Sequence, residues 1–207
     1  MLRTFIYVDG FNLYYRCLKD TAYKWLDLYK LAEKILPADK HEIVKVKFFT
    51  ARINVRGNDV DAPNRQAIYL KALENYHPEK IEIIYGHFQA HPAMRPYAPP
   101  QTGWANVMLT EEKGTDVNLG VHLLNDAWMN AYDCAVVVSN DSDLAEAMRL
   151  AKERKKLIGW MVTGNQHPSQ VLAQIAHFRK PIRNTVLAAS QLPNPIPGTT
   201  ITKPSSW

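Results

Sequence analysis

The chain has 207 residues, 46% of them hydrophobic and 22% charged, with a formal net charge of +5; that is enough for one domain with a substantial core, and too ordinary a composition for a disordered chain. No apolar run approaches the roughly 18 residues of a spanning helix, and the short run Phe5-Ile6-Tyr7-Val8 leads into a polar motif rather than a cleavage site, so neither a spanning helix nor a secretory signal is expected and a cytoplasmic location is the default expectation. The two cysteines, Cys17 and Cys134, lie in apolar surroundings without Cys-x-x-Cys spacing, which points to buried thiols rather than a disulfide framework or a zinc site.

In chain order, residues 3–8 read as a strand that ends on Asp9-Gly10, with a short helix from Asn12 to Leu18. Asp27 is placed to cap a helix with the stripe Leu28, Leu31, Ala32, Ile35 and Leu36, stopped by Pro37. Residues 43–51 form the second strand. A helix of about 15 residues follows, with Asp61 and Pro63 at its start and Ile68, Tyr69, Ala72, Leu73 and Tyr76 on one face. Ile81 to Tyr85 is the third strand, and residues 86–110, rich in Pro, His and aromatics, form an irregular hairpin insertion. A helix resumes near Thr115 with Val117, Val121, Leu124 and Trp128 at helical spacing. Cys134 to Val138 is a strand apolar on both faces. Asp143 to Arg154 is helical, Leu157 to Val162 is the fifth strand, and Ser169 to Ala176 is the last helix. Residues 1–183 make one domain. Residues 184–207, with Pro193, Pro195, Pro197 and Pro204, read as an extended tail.

Strands that alternate with helices imply crossover connections, a parallel sheet and helices on both faces. In such a sheet the ligand crevice lies beyond the carboxyl ends of the strands, where the strand order reverses. Asp9 ends the first strand, Asp141 follows the strand ending at Val138, and Asp116 stands in the first turn of its helix, so all three can face one crevice. Unneutralised, two charges about 4 Å apart repel by roughly 4 kcal/mol at an effective dielectric near 20, so a cation is expected between them. Oxygen-only ligation suits Mg²⁺ or Mn²⁺, which can acidify a bound water for attack at phosphorus. A basic chain that gathers acids at one point suits a nuclease, because the phosphate backbone is attracted while a cation is held at the chemistry.

Each acid has a plainer reading as well. Asp9 before Gly10 can initiate a turn, Asp116 can simply complement a helix dipole, and either Asp141 or Asp143 can be a cap, with Asp143 and Glu146 fitting a capping arrangement. Asn12 orients a carboxylate or phosphate, or caps a helix. Glu112 is an outer-shell acid or an exposed surface residue. Candidate substrate contacts are Lys113, Arg52, Thr115 and Ser139. Lys45, Lys47 and Arg56 flank strand two with Arg52, and the run Lys152, Arg154, Lys155 and Lys156 is a solvated face. The hairpin residues His87, Phe88, His91, Arg95, Tyr97 and Trp104 could stack on unpaired bases. An aspartyl-phosphate hydrolase would want a second Asp two residues after the first, where this chain has Phe11.

The segments Tyr7-Val8-Asp9-Gly10-Phe11-Asn12-Leu13, Glu112-Lys113-Gly114-Thr115-Asp116-Val117 and Ser139-Asn140-Asp141-Ser142-Asp143-Leu144 together resemble the three motifs of NYN domains, members of the PIN-like nuclease superfamily. The resemblance spans residues 3–178. It implies a Rossmann-like three-layer α/β fold with a five-stranded parallel sheet in the order 3-2-1-4-5. It also implies metal-dependent hydrolysis of RNA, with Asp9, Asp116 and Asp141 as metal ligands and Asp143 and Asn12 assisting. The third motif departs from the family's usual pattern in having Asn140 where Gly often precedes the Asp. No cysteine pair stands before the second motif, so no zinc site is carried over. A non-catalytic RNA-binding or regulatory module on the same fold is the rival expectation, and a homo-oligomer or a small protein inhibitor is compatible with either.

Overall fold

The computed structural model describes residues 1–55, 59–164 and 167–207. The chain opens with strand β1 (Leu2–Asp9), then a short helix α1 (Gly10–Leu13) that widens into a π-helical turn at Tyr14–Leu18, in place of one regular helix. Helix α2 (Leu28–Ile35) begins where Asp27 accepts the backbone N–H groups of Tyr29 and Lys30, both at 3.0 Å. Strand β2 (His41–Thr50), helix α3 (Ala62–Tyr76) with Pro63 in its first turn, and strand β3 (Ile81–Tyr85) follow.

The insertion is more regular than its composition suggested. Strands β4 (His87–Pro96) and β5 (Trp104–Lys113) pair antiparallel without a bulge, from His87 opposite Lys113 to Pro96 opposite Trp104. A separate two-stranded ribbon has edges on both sides, where a proline that donates nothing is tolerated. Helix α4 (Thr115–Trp128), strand β6 (Cys134–Val138), a 3₁₀ turn at Ser142–Leu144, helix α5 (Ala145–Glu153), strand β7 (Leu157–Val162) and helix α6 (Gln170–Ile175) complete the expected series.

Six strands form one parallel sheet in the order β3-β2-β1-β6-β7-β8, where β8 is Phe178–Pro181. Counted within that sheet alone, the first five strands run 3-2-1-4-5, and β8 adds a sixth beside β7. It was missed because Phe-Arg-Lys-Pro has neither an apolar run nor alternation long enough to register. The segment from Asn184, expected to be an extended tail, starts with helix α7 (Asn184–Ala189) and then docks on the body. Leu192 and Ile196 are buried, and the Trp207 ring packs against Trp25 and Tyr69. Prolines rule out helix and sheet there, yet the apolar residues between them still find a surface.

Alternating side chains divide the core between the two faces of the sheet. Ile6, Val8, Val46, Phe48, Val136 and Val138 face one way, with α2, α3 and α7 covering them. Phe5, Tyr7, Phe49, Ala135, Val137 and Trp160 face the other, under α4 and α5. Val117, Val121 and Trp128 of α4 are exposed; its inward face is Leu119, Leu123, Asp126 and Ala127. Asp126 is bonded within that face. Its Oδ2 accepts the Tyr7 hydroxyl at 2.7 Å and lies 2.6 Å from Lys47 Nζ. Lys47 is therefore a buried ion-pair partner, 7% exposed, rather than a crevice cation. Lys156, also buried, donates to the Tyr132 backbone carbonyl and to the Asn130 side-chain oxygen, which removes it from the solvated run. Arg56 lies outside the described residues. Among those described, no helix is long and apolar enough to cross a membrane.

Candidate active site

The strand order reverses between β1 and β6, which lie in register from Thr4 opposite Cys134 to Val8 opposite Val138. The residues one step beyond that pairing are Asp9 and Ser139, so parallel register alone sets them side by side. Ser139 Oγ donates to Asp9 Oδ2 at 2.8 Å, while Asp9 Oδ1 accepts the Asn12 backbone N–H at 2.9 Å. Asp9 thus caps the first helix as turn chemistry allows, and each of its oxygens, with two lone pairs, keeps capacity for another partner. Gly10 is needed for this turn: a Cβ there would come within 2.7 Å of the Phe49 carbonyl and 2.8 Å of the Phe48 ring.

Ser139 is itself held from three directions. Its carbonyl accepts the Trp160 indole N–H at 2.6 Å, and its hydroxyl oxygen accepts the Asp141 backbone N–H at 3.1 Å. The Asp141 carboxylate accepts the Asp143 backbone N–H at 3.0 Å, so Asp141 is the cap of the 3₁₀ turn. Asp143 is exposed, and Glu146 pairs with Arg149 instead of capping. Asn12 Oδ1 accepts from the Asn140 backbone at 3.0 Å and from the Thr163 hydroxyl at 2.6 Å, tying β1, β6 and the end of β7 together. Asn140 in turn accepts from Ser169 and donates to the carbonyl of His167, a bridging role that Gly could not fill. Thr163 was not among the sequence candidates, although its place directly after an apolar strand is the same signal that marks Asp9.

The second motif stands slightly apart. Glu112 Oε1 accepts the Thr115 backbone N–H at 3.1 Å, and Gly114, in the left-handed region at φ 89°, turns the chain into α4. Thr115 is buried, whereas Asp116 is exposed and accepts its neighbour's Val117 N–H at 2.8 Å. Lys113 is exposed and pairs with Glu111 at 2.7 Å, which, with the nearby charges of Glu112 and Asp116, raises its pKa. Burial raises the Asp9 pKa most, opposed by the bonds from Asn12 and Ser139 and assisted by the charges of Asp141 and Glu112. Glu112, of the second motif, thus contributes to the raised Asp9 pKa through its charge. Among the described residues, no three side chains of His, Cys, Asp or Glu converge closely enough to hold an ion by themselves.

Space opens beside this network. A cavity of about 560 Å³ runs from Gly10 and Phe11 past Phe48 to α3. A second, of about 460 Å³, is lined by Arg52, Tyr85 and His87 and shares Asn54 and Phe88 with the first. Arg52 lies over the Tyr85 ring at 4.9 Å.

The family model of the NYN domain matches residues 3–182. The chain is 37% identical, over 235 aligned residues that cover all of it and 75% of the relative, to a protein named 6-hydroxy-3-succinoylpyridine 3-monooxygenase from Pseudomonas putida. A crystal structure of a protein of unknown function from Vibrio parahaemolyticus has a similar fold, with a TM-score of 0.54 at 20% identity over 88% of this chain and 94% of that one. With the motif residues of β1 and β6 brought side by side at the switch point of a parallel sheet, and the family model spanning nearly every element described, the chain belongs to the NYN domain family, a nuclease-like fold of the PIN superfamily.

Proposed function

We propose that the chain is a ribonuclease that hydrolyses phosphodiester bonds with Mg²⁺ or Mn²⁺ at Asp9 and Asp141. The observation that carries this reading is the locked Asp9 carboxylate at the switch point, whose pKa is raised by burial and by acids gathered around it. Such a set favours a hard cation, and Mg²⁺ is commonly bound through one or two carboxylates, with waters and substrate phosphate oxygens completing its shell. Asp9 and Asp141 would hold it, with Glu112 or Asp116 as the third acid. A bound cation of this kind acidifies a water and offsets charge on the leaving oxygen. Ser139, Asn12 and Thr163 fix the carboxylate and the loop that carries Asp141. Lys113, exposed beside Glu111, and Arg52, over the Tyr85 ring, would meet substrate phosphates, and Thr115 holds the Glu112 carboxylate through its backbone N–H.

Purified protein is expected to cut single-stranded RNA with Mg²⁺ or Mn²⁺ and to stop with EDTA; cleavage that ignores the chelator sinks the reading. Ser139→Ala removes the donor that orients Asp9 and is expected to lower the cleavage rate by about 10–100-fold while RNA affinity holds, the usual scale for an outer-shell partner of a metal ligand. Glu112→Gln is expected to cost at least as much rate as Asp116→Asn, because its charge reaches Asp9. The reverse order would make Asp116 the third acid.

A second reading comes from the Pseudomonas relative's name: oxidation of a small substituted pyridine. The roomy cavity that begins at Gly10 and Phe11 favours it. Incubation with 6-hydroxy-3-succinoylpyridine, O₂ and a nicotinamide reductant, followed by product analysis, separates the two.

A further inference from the structure

The larger cavity has walls of two kinds. Aromatic rings make one: Phe11, Phe48, Tyr69, Phe88 and Trp207 line it, and the rings of Tyr69 and Trp207 lie tilted at 5.6 Å. Tyr15 stands at its mouth, 60% exposed. The other part of the lining is charged: among the described residues it holds Lys19, Lys24 and Arg65 with one acidic side chain, Asp59. Its volume of about 560 Å³ suits a ligand rather than a packing defect, since small-molecule sites run from roughly 300 to 1,000 Å³.

Arg65 adds a second observation. It reaches the cavity from α3, and one of its terminal nitrogens pairs with Asp59, which holds the guanidinium in place. Its Nε is buried and is not presented to the cavity. With Lys19 and Lys24 it leaves the lining with an excess of positive charge, and charge-assisted hydrogen bonds to an anion are the strong ones. An apolar ligand would leave those cations unused. A bare anion would leave the rings unused.

We infer that this cavity is a binding site for a planar aromatic ring that carries an anionic group, the ring lying among Phe11, Tyr15 and Trp207 and the anion toward Arg65, Lys19 and Lys24. Two sources share this chemistry: an unpaired nucleotide of a nucleic acid strand, and a free aromatic acid. Continuity with the second cavity through Asn54 and Phe88 gives a strand crossing Asp9 a route by which to turn one base into the ring wall.

Equilibrium binding to the full chain with EDTA tests this without turnover, so its result is independent of whether Asp9 hydrolyses RNA. The probes are uridine and adenosine 5′-monophosphates as nucleotides and benzoate and nicotinate as free acids. Inorganic phosphate, cyclohexanecarboxylate and uridine are the controls that lack the ring, the aromaticity or the charge. A ring acid of either kind is expected to bind more tightly than all three controls. Tyr15→Ala and Trp207→Ala are each expected to weaken it by about tenfold, the scale of one lost stacking partner. Arg65→Gln is expected to erase the preference for the monophosphate over uridine. Tyr15 is exposed, so its substitution leaves the fold intact, and melting curves check Trp207→Ala, whose ring packs on Trp25 and Tyr69. Preference for the nucleotides names the strand as the source, and preference for benzoate or nicotinate names a free acid. The inference is overturned if phosphate or cyclohexanecarboxylate binds as well as the ring acids, or if the three variants bind like the parent.

Discussion

Replacing Asp9 with Asn is expected to abolish RNA cleavage and, in metal-free protein, to raise the melting temperature at neutral pH. The variant keeps the geometry: its side-chain oxygen can still accept the Asn12 N–H, and its amide can donate to the Ser139 hydroxyl. What it loses is the charge. Burial, then Asp141 and Glu112, raise the Asp9 pKa above its ordinary value of 3.8, so the unfolded chain gives up this proton first. Ionisation of Asp9 therefore lowers stability as pH rises through 3.8, and the penalty is complete above the raised folded value. The gain from Asn is thus largest at neutral pH and shrinks in acid. Mg²⁺ or Mn²⁺ reverses the comparison, because a bound cation stabilises the parent by mass action and has lost a ligand in the variant. The loss of rate is expected to exceed about a hundredfold, more than an outer-shell change brings. Melting curves at several pH values, with EDTA and with Mn²⁺, measure both effects. A variant no more stable than the parent at neutral pH would mean that Asp9 carries no electrostatic penalty.

The largest stability effect is expected at Lys47. Its ammonium is buried beneath the sheet against Asp126, which also accepts the Tyr7 hydroxyl, with Glu82 at 3.8 Å and His122 Nδ1 at 3.3 Å. Removing it strands a carboxylate that is 8% exposed, and leaving such a charge unpaired costs about 3–5 kcal/mol. Lys47→Met is expected to be destabilised by that amount in chemical denaturation. Adding Asp126→Asn removes the stranded charge while leaving Tyr7 an acceptor, so the double variant is expected to be more stable than Lys47→Met alone. Additive losses would show that the two groups are not coupled. The Asp9 network, on the far side of β1's end, is expected to keep its geometry in both.

Much of the fold was legible because burial on both faces leaves a plain mark. Cys134-Ala135-Val136-Val137-Val138 can hardly be anything but a central strand, and helices between such runs force a parallel sheet. Short or mixed elements left no mark. Phe178–Pro181 pairs along the edge of β7, and α4 turns Val117 and Trp128 outward while Leu119, Leu123 and Ala127 face the core with Asp126. Periodicity finds apolar residues on both faces of such a helix and does not say which face meets the sheet. At the site, Asp9 and Asp141 were readable as acids at strand ends. Thr163 carries the same strand-end signal but no charge to mark it, and the effect of Glu112 on Asp9 depends on a neighbour far away in the chain.

By itself the sequence determined the residue types and their order: acids after apolar strands, a glycine where no Cβ fits, and motifs in family succession. These follow from local chemistry, which the chain carries wherever it goes. Only the tertiary structure decided which acids meet. The register of β1 against β6 sets Asp9 beside Ser139, Asn12 and Thr163 lock the turn, and the charges of Asp141 and Glu112 help to raise the Asp9 pKa. The aromatic cavity beside them was equally invisible in the sequence, for its walls come from five separate stretches of chain that only folding brings together.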